Sequence, residues 1–181
     1  LPGKYVIKFL ARDAETGRIG TYQTAFTIPN LNREVKRIPI SSVVLGSQRV
    51  PLGDELFSVK QKIDAGAANP LVFNGQKLIP SVTRVFSRSR DLHVFLQAYE
   101  RGATMQPLLA FVSFYRGDVK AFETSPLAVT TGMEGRAKAV PLRFSVPLGT
   151  LATGRYDCQV TVLDPAGQKV AFWQAPIALV P

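Results

Sequence analysis

Two side chains in this 181-residue chain could serve an imidazole or thiol relay: His93, its single histidine, and Cys158, its single cysteine. A serine or cysteine nucleophile needs an imidazole within hydrogen-bond reach and a third group to orient that ring. His93 lies two residues after Asp91, on the parity opposite Leu92, Val94 and Leu96. It is expected mid-strand on the outer, partly exposed face. Cys158 shares its parity with Tyr156, Val160 and Val162 and is expected in the core, where a thiol is normally inert. One histidine and one cysteine leave no zinc site of the usual nitrogen–sulfur type. A single cysteine also excludes an intrachain disulfide. No catalytic, cofactor-binding or metal-binding residue is therefore expected, and the chain is read as a non-enzyme.

The remaining candidates each have a plainer use. Asp54, Glu55 and Asp64 offer oxygens to calcium but lack the regular spacing of an EF-hand loop. The other acids are scattered and define no glycosidase-type carboxylate couple. The glycines punctuate turns, and none forms a phosphate-cradling loop leading into a helix. Arg116-Gly117-Asp118 spells the adhesion tripeptide that integrins recognise. The same residues suit a two-residue hairpin with glycine first, and the turn is the preferred reading. Trp173, Phe172, Tyr99 and Tyr115 would make a sugar-stacking platform if exposed. Parity points Trp173 inward, so carbohydrate binding stands as the alternative reading. The formal net charge is +9. Its lysines and arginines are spread through turns and outward positions, densest at Arg84, Arg88 and Arg90 among Ser87 and Ser89. Neither an aromatic RNA-binding strand nor a basic helix accompanies them, so no nucleic-acid partner is expected.

The elements that must position these residues read almost entirely as strands. A hydrophobic content of 46% supports a packed core. The apolar runs fall short of the roughly 18–20 residues that span a membrane as a helix. Residues 30–39 are polar and end at Pro39, and they read as a linker. Ile40 to Leu45 is a first strand. Leu56, Val59 and Ile63 recur at helical spacing behind Asp54, so residues 51–69 hold either a short capped helix or a loop. Asn74-Gly75 between Leu71–Phe73 and Gln76–Ile79 is a strong hairpin signal, because both residues tolerate the positive φ of a type I′ turn. Val82 to Phe86 reads as a strand. Leu92 to Tyr99 alternates and reads as a central strand. Leu108 to Tyr115 and Val119 to Phe122 flank Gly117-Asp118. Leu127 to Thr130 is a short edge strand, and Gly132 to Gly135 is a mobile turn. In Ala137 to Val146 the buried series is Val140, Leu142, Phe144 and Val146. At least seven short strands with turns between them predict an all-β, immunoglobulin-like antiparallel sandwich over residues 40–181.

The chain closes on a hairpin over Leu151 to Pro181: a strand that alternates along residues 156–162, a tight turn at Asp164-Pro165-Ala166-Gly167, and a second strand to the end. Gly154 and Tyr156 suggest a tyrosine corner, a tyrosine whose hydroxyl bonds back to nearby backbone. Residues 1–29 repeat this hairpin at an offset of 151: Gly3, Tyr5, Asp13 and Gln23 match Gly154, Tyr156, Asp164 and Gln174. Inward parity matches along both strands as well. Residues 1–29 are thus expected to be the C-terminal hairpin of an upstream sandwich repeat, and the chain to be part of a longer polypeptide. A hairpin alone is marginal in water and has free edges, so self-association through strand edges is a further expectation.

The stretches at 78–86 (Leu-Ile-Pro-Ser-Val-Thr-Arg-Val-Phe), 92–99 (Leu-His-Val-Phe-Leu-Gln-Ala-Tyr) and 151–164 carry a family resemblance. Their order resembles the C-terminal β-sandwich region of exported bacterial von Willebrand factor A-related proteins of the acidobacterial type. The metal-site Asp-x-Ser-x-Ser pattern of the A domain is not in the chain, so no metal function carries over. The resemblance implies export to the periplasm or cell exterior, neighbouring domains of the same polypeptide as partners, and an accessory structural or protein-interaction role.

Overall fold

The computed structural model describes residues 1–28, 30, 37–52, 69–99, 107–130 and 139–181. Three expectations fall wholly or mostly outside these residues: the helix or calcium loop around Asp54, Glu55 and Asp64, the turn at Gly132–Gly135, and most of the 30–39 linker. The chain divides into two compact units, Leu1–Val35 and Lys36–Pro181.

In the first unit, β1 (Gly3–Arg12) and β2 (Ile19–Ile28) form an antiparallel two-stranded sheet. The Asp13 carboxylate closes the turn by accepting the backbone N–H groups of Glu15 and Thr16 at 2.9 and 3.2 Å. Those bonds hold its acid below the usual carboxylate range. Gly17 takes a positive φ of 70° there. Tyr5 stacks on Phe26 with ring centroids 5.7 Å apart, and Phe9 lies 6.4 Å from Tyr22.

The second unit is an immunoglobulin-like β-sandwich. One sheet has the order β12 (Ala139–Pro147), β8 (Asp91–Tyr99), β3 (Val44–Gly46). The other runs β10 (Val119–Glu123), β9 (Leu108–Arg116), β13 (Gly154–Asp164), β14 (Lys169–Val180), β7 (Val85–Ser87), with β11 (Leu127–Val129) also on β9. Strand alternation aims the two inner faces at one core. Leu92, Val94, Leu96, Leu142 and Val146 meet Val112, Phe114, Val160 and Val162, all essentially without solvent exposure. Burying a side chain of this size contributes about 1.5–3 kcal/mol each. β8 is the central strand of its sheet, as its alternation predicts.

Three features differ from the sequence reading. First, β7 pairs parallel to β14, the one parallel pairing among the described strands. It is shorter than expected, because Val82 is 97% exposed and Arg84 takes a positive φ of 55°. Second, β4 (Gln48–Pro51), β6 (Gln76–Ile79) and β5 (Val72–Phe73) form a separate small sheet, with Asn74 and Gly75 both at positive φ in the turn. Third, the first strand is β3, while Ile40 makes only an isolated bridge to Ala98. Ile38 and Pro39, read as the end of a linker, are buried instead: Ile38 joins the core and the Pro39 carbonyl accepts the Tyr99 N–H at 2.9 Å.

Candidate functional site

The strand register brings His93 opposite Ser145, a residue the sequence reading did not single out. The Ser145 hydroxyl donates to Asp91 Oδ2 at 2.8 Å and lies 3.2 Å from His93 Nδ1. A hydroxyl has one proton. With that proton on the Asp91 bond, His93 Nδ1–H must be the donor to Ser145 Oγ. The serine therefore sits between the acid and the imidazole, whereas a hydrolytic relay places the imidazole between the acid and the serine. In that tautomer the ring nitrogen facing the hydroxyl carries a hydrogen and does not take another from it. His93 is held below its ordinary pKa, first by burial and then by the nearby Arg49 cation, with Asp91 opposing.

Beside His93, the outer face of β8 and β12 meets the small sheet around a shallow pocket. Arg143 dominates it. Its guanidinium carbon is 4.6 Å from the Phe73 ring centroid and 5.2 Å from that of Phe95. Burial, and then the Arg49 charge, lower the Arg143 pKa, although arginine stays charged at any ordinary pH. Phe95 points to the face opposite the core yet is only 5% exposed. A phenylalanine on the polar parity of an alternating strand was the available signal that something covers that face. Arg143 joins β5 to β8 through their aromatic rings, a use worth about 0.5–2 kcal/mol per cation–ring contact.

The other candidates resolve into structure. Cys158 is fully buried, and burial pushes its thiol up to about 12. Arg116 of the adhesion-like tripeptide donates from Nη2 to the Thr153 carbonyl at 2.8 Å and to Tyr156 Oη at 2.9 Å. Gly117 opens the turn at a φ of 59°. The Tyr156 hydroxyl in turn donates to the Ala152 carbonyl at 2.9 Å. Trp173 is half-buried against the core edge with the Arg84 guanidinium 5.9 Å from its ring, while its neighbour Phe172 faces outward. In the basic cluster, Arg88 Nη2 donates to the Gly149 carbonyl at 2.7 Å. Among the described residues no three His, Cys, Asp or Glu side chains converge as a metal site would require. No described helix is long and apolar enough to cross a membrane.

The first hairpin carries Tyr5, Ile7, Phe9, Tyr22, Phe26 and Ile28 exposed. Every rung of β1–β2 recurs in β13–β14 at the offset of 151: Gly3↔Ile28 corresponds to Gly154↔Leu179, Tyr5↔Phe26 to Tyr156↔Ile177, and Arg12↔Ile19 to Leu163↔Val170. Details outside the ladder recur at the same offset. The Tyr5 hydroxyl donates to the Leu1 carbonyl at 2.7 Å, four residues back, as Tyr156 does to Ala152. Gly17 and Gln168 both take positive φ. Asp13 and Asp164 each accept turn N–H groups on Oδ1. The difference is in burial: Phe9 is 59% exposed, and its counterpart Val160 is fully buried. No protein-family model matches the chain, and no curated protein matches it.

Proposed function

We propose that the chain is a non-enzymatic structural or protein-interaction β-sandwich module of an exported bacterial protein, set in series with another sandwich. One observation carries this reading: the first hairpin reproduces the closing hairpin of the sandwich rung for rung at a constant offset. Register, turn conformation and the tyrosine back-bond all follow that offset, which supports reading the pair as repeats of one unit. It also supports reading Tyr156 as a tyrosine corner, since the hydroxyl bond to the residue four positions back is made in both copies. Repeats in series space and present their neighbours, and their stability is built from local contacts. The sandwich architecture by itself hosts many functions and does not decide among them.

The arrangement of Ser145, His93 and Asp91 supports the non-enzymatic part, because the imidazole there faces a hydroxyl whose proton is committed to the acid. The test is an exchange within the longer polypeptide. Lys36–Pro181 is replaced by an unrelated sandwich of equal length, and access of antibody or protease to neighbouring domains at the cell surface is measured. Access should survive the exchange. Loss of access with spacing preserved would mean that a specific surface, rather than length and stiffness, is what the module supplies.

A further inference from the structure

We infer that the apolar face of the first hairpin is a docking surface for a sandwich body that lacks its own closing hairpin and precedes Leu1 in the same polypeptide; this rests on the tandem reading above. The face is formed by Tyr5, Ile7 and Phe9 of β1 and Tyr22, Phe26 and Ile28 of β2, each 37% exposed or more. Their counterparts at the offset of 151 are Tyr156, Cys158, Val160, Trp173, Ile177 and Leu179. Five of those are buried and the sixth, Trp173, is half-buried. A two-stranded sheet this apolar on one side does not persist uncovered in water.

The second unit shows what covers such a face. Above β13 and β14 lies the three-stranded sheet β12–β8–β3, which contributes Leu92, Val94, Leu96, Leu142, Phe144 and Val146 to the shared core. It also shows what lies at the edge: Asp157 to Leu163 of β13 pair with β9. The same offset makes Val6 to Arg12 of β1 the edge that accepts a strand. The occupant is thus specified in two respects: an apolar three-stranded antiparallel sheet facing the hairpin, and a strand edge alongside β1. A second copy of this chain offers no such vacancy. Its own hairpin position is filled by β13–β14, and β13 is paired along both edges.

The experiment compares amide hydrogen exchange of the β1–β2 ladder in the 181-residue chain with that in the polypeptide as encoded through about 150 further residues ahead of Leu1, one domain's length. Protection of the ladder should rise about 100-fold or more in the longer form, because local opening then exposes a core. Phe9→Lys should abolish the rise, and Phe9→Leu should keep most of it. Leu10→Lys, on the opposite face and 70% exposed already, should also keep it. Equal exchange in the two lengths would overturn the inference, as would an encoded polypeptide with no strand-rich body ahead of Leu1. So would protection in the 181-residue chain that climbs with concentration while light scattering reports a dimer, since a second copy would then be the occupant. The surface-access exchange can succeed when this comparison fails, so the two readings fall separately.

Discussion

Replacing Tyr156 by phenylalanine removes one oxygen from a defined network. The ring is 4% exposed and keeps its packing, so the apolar transfer contribution is unchanged. The Arg116 guanidinium, 4.7 Å from the ring centroid, keeps that contact and its bond to the Thr153 carbonyl. Two hydrogen bonds disappear: the one donated to Ala152 and the one accepted from Arg116. A net hydrogen bond is worth about 1 kcal/mol, and a buried partner left unmet adds to the loss, so Tyr156→Phe should cost about 1–2 kcal/mol. For a domain of this size each kcal/mol moves the melting midpoint by about 2–4 °C, giving a drop of about 2–8 °C in scanning calorimetry. Urea unfolding should show a lower midpoint at unchanged slope. Tyr5→Phe breaks the equivalent bond on an exposed surface and should stay within about 0.5 kcal/mol. A Tyr156→Phe midpoint indistinguishable from the parent, or an equal loss at Tyr5, would refute the argument that burial gives this hydroxyl its weight. A double-mutant cycle with Arg116→Met should return a coupling of about 0.5–1 kcal/mol.

Gly46→Ala should destabilise the second unit by about 3 kcal/mol in urea unfolding, since a Cβ there meets the Ile79 backbone carbonyl, which cannot move aside as a side-chain tip can. Cys158 should resist a thiol-specific disulfide reagent at neutral pH in the native state and react fully once unfolded; native-state reaction faster than unfolding would contradict its placement. Because the folded-state pKa of His93 lies below its unfolded value, the unfolded chain binds its proton more readily and stability rises with pH. That contribution should be complete above the unfolded value of about 6.5 and decline as pH falls through the folded one, and His93→Gln should flatten the urea midpoint over that range. Asp118→Ala should leave partner binding and fold unchanged, because Gly117 and Arg116 carry the turn and its anchoring; a clear loss of binding would restore the adhesion reading.

The sequence by itself determined what depends on a few adjacent residues. Alternation placed Leu92, Val94, Leu96 and Ala98 on the core face of a central strand, and it placed Val140, Leu142, Phe144 and Val146 on the core face of the strand that pairs beside it, because a strand's side chains can only alternate. Asn74-Gly75 and Gly117 marked their turns because positive φ is costly for other residues. The offset of 151 between the two hairpins was legible because the same local constraints apply twice. Tertiary structure alone decided what depends on distant pairing. Ser145 meets His93 only through the register of β12 on β8, and Ile38 enters the core and Pro39 is buried although the charged Arg37 precedes them. β7 lies parallel to β14 over three rungs, too short a stretch for its sequence to declare a direction. The small sheet over Phe95 and Arg143 was equally hidden, since covering the outer face of β8 depends on strands from elsewhere in the chain. Which strand edges and faces find each other is set by burial summed over the whole core, and no local stretch of the chain carries that sum.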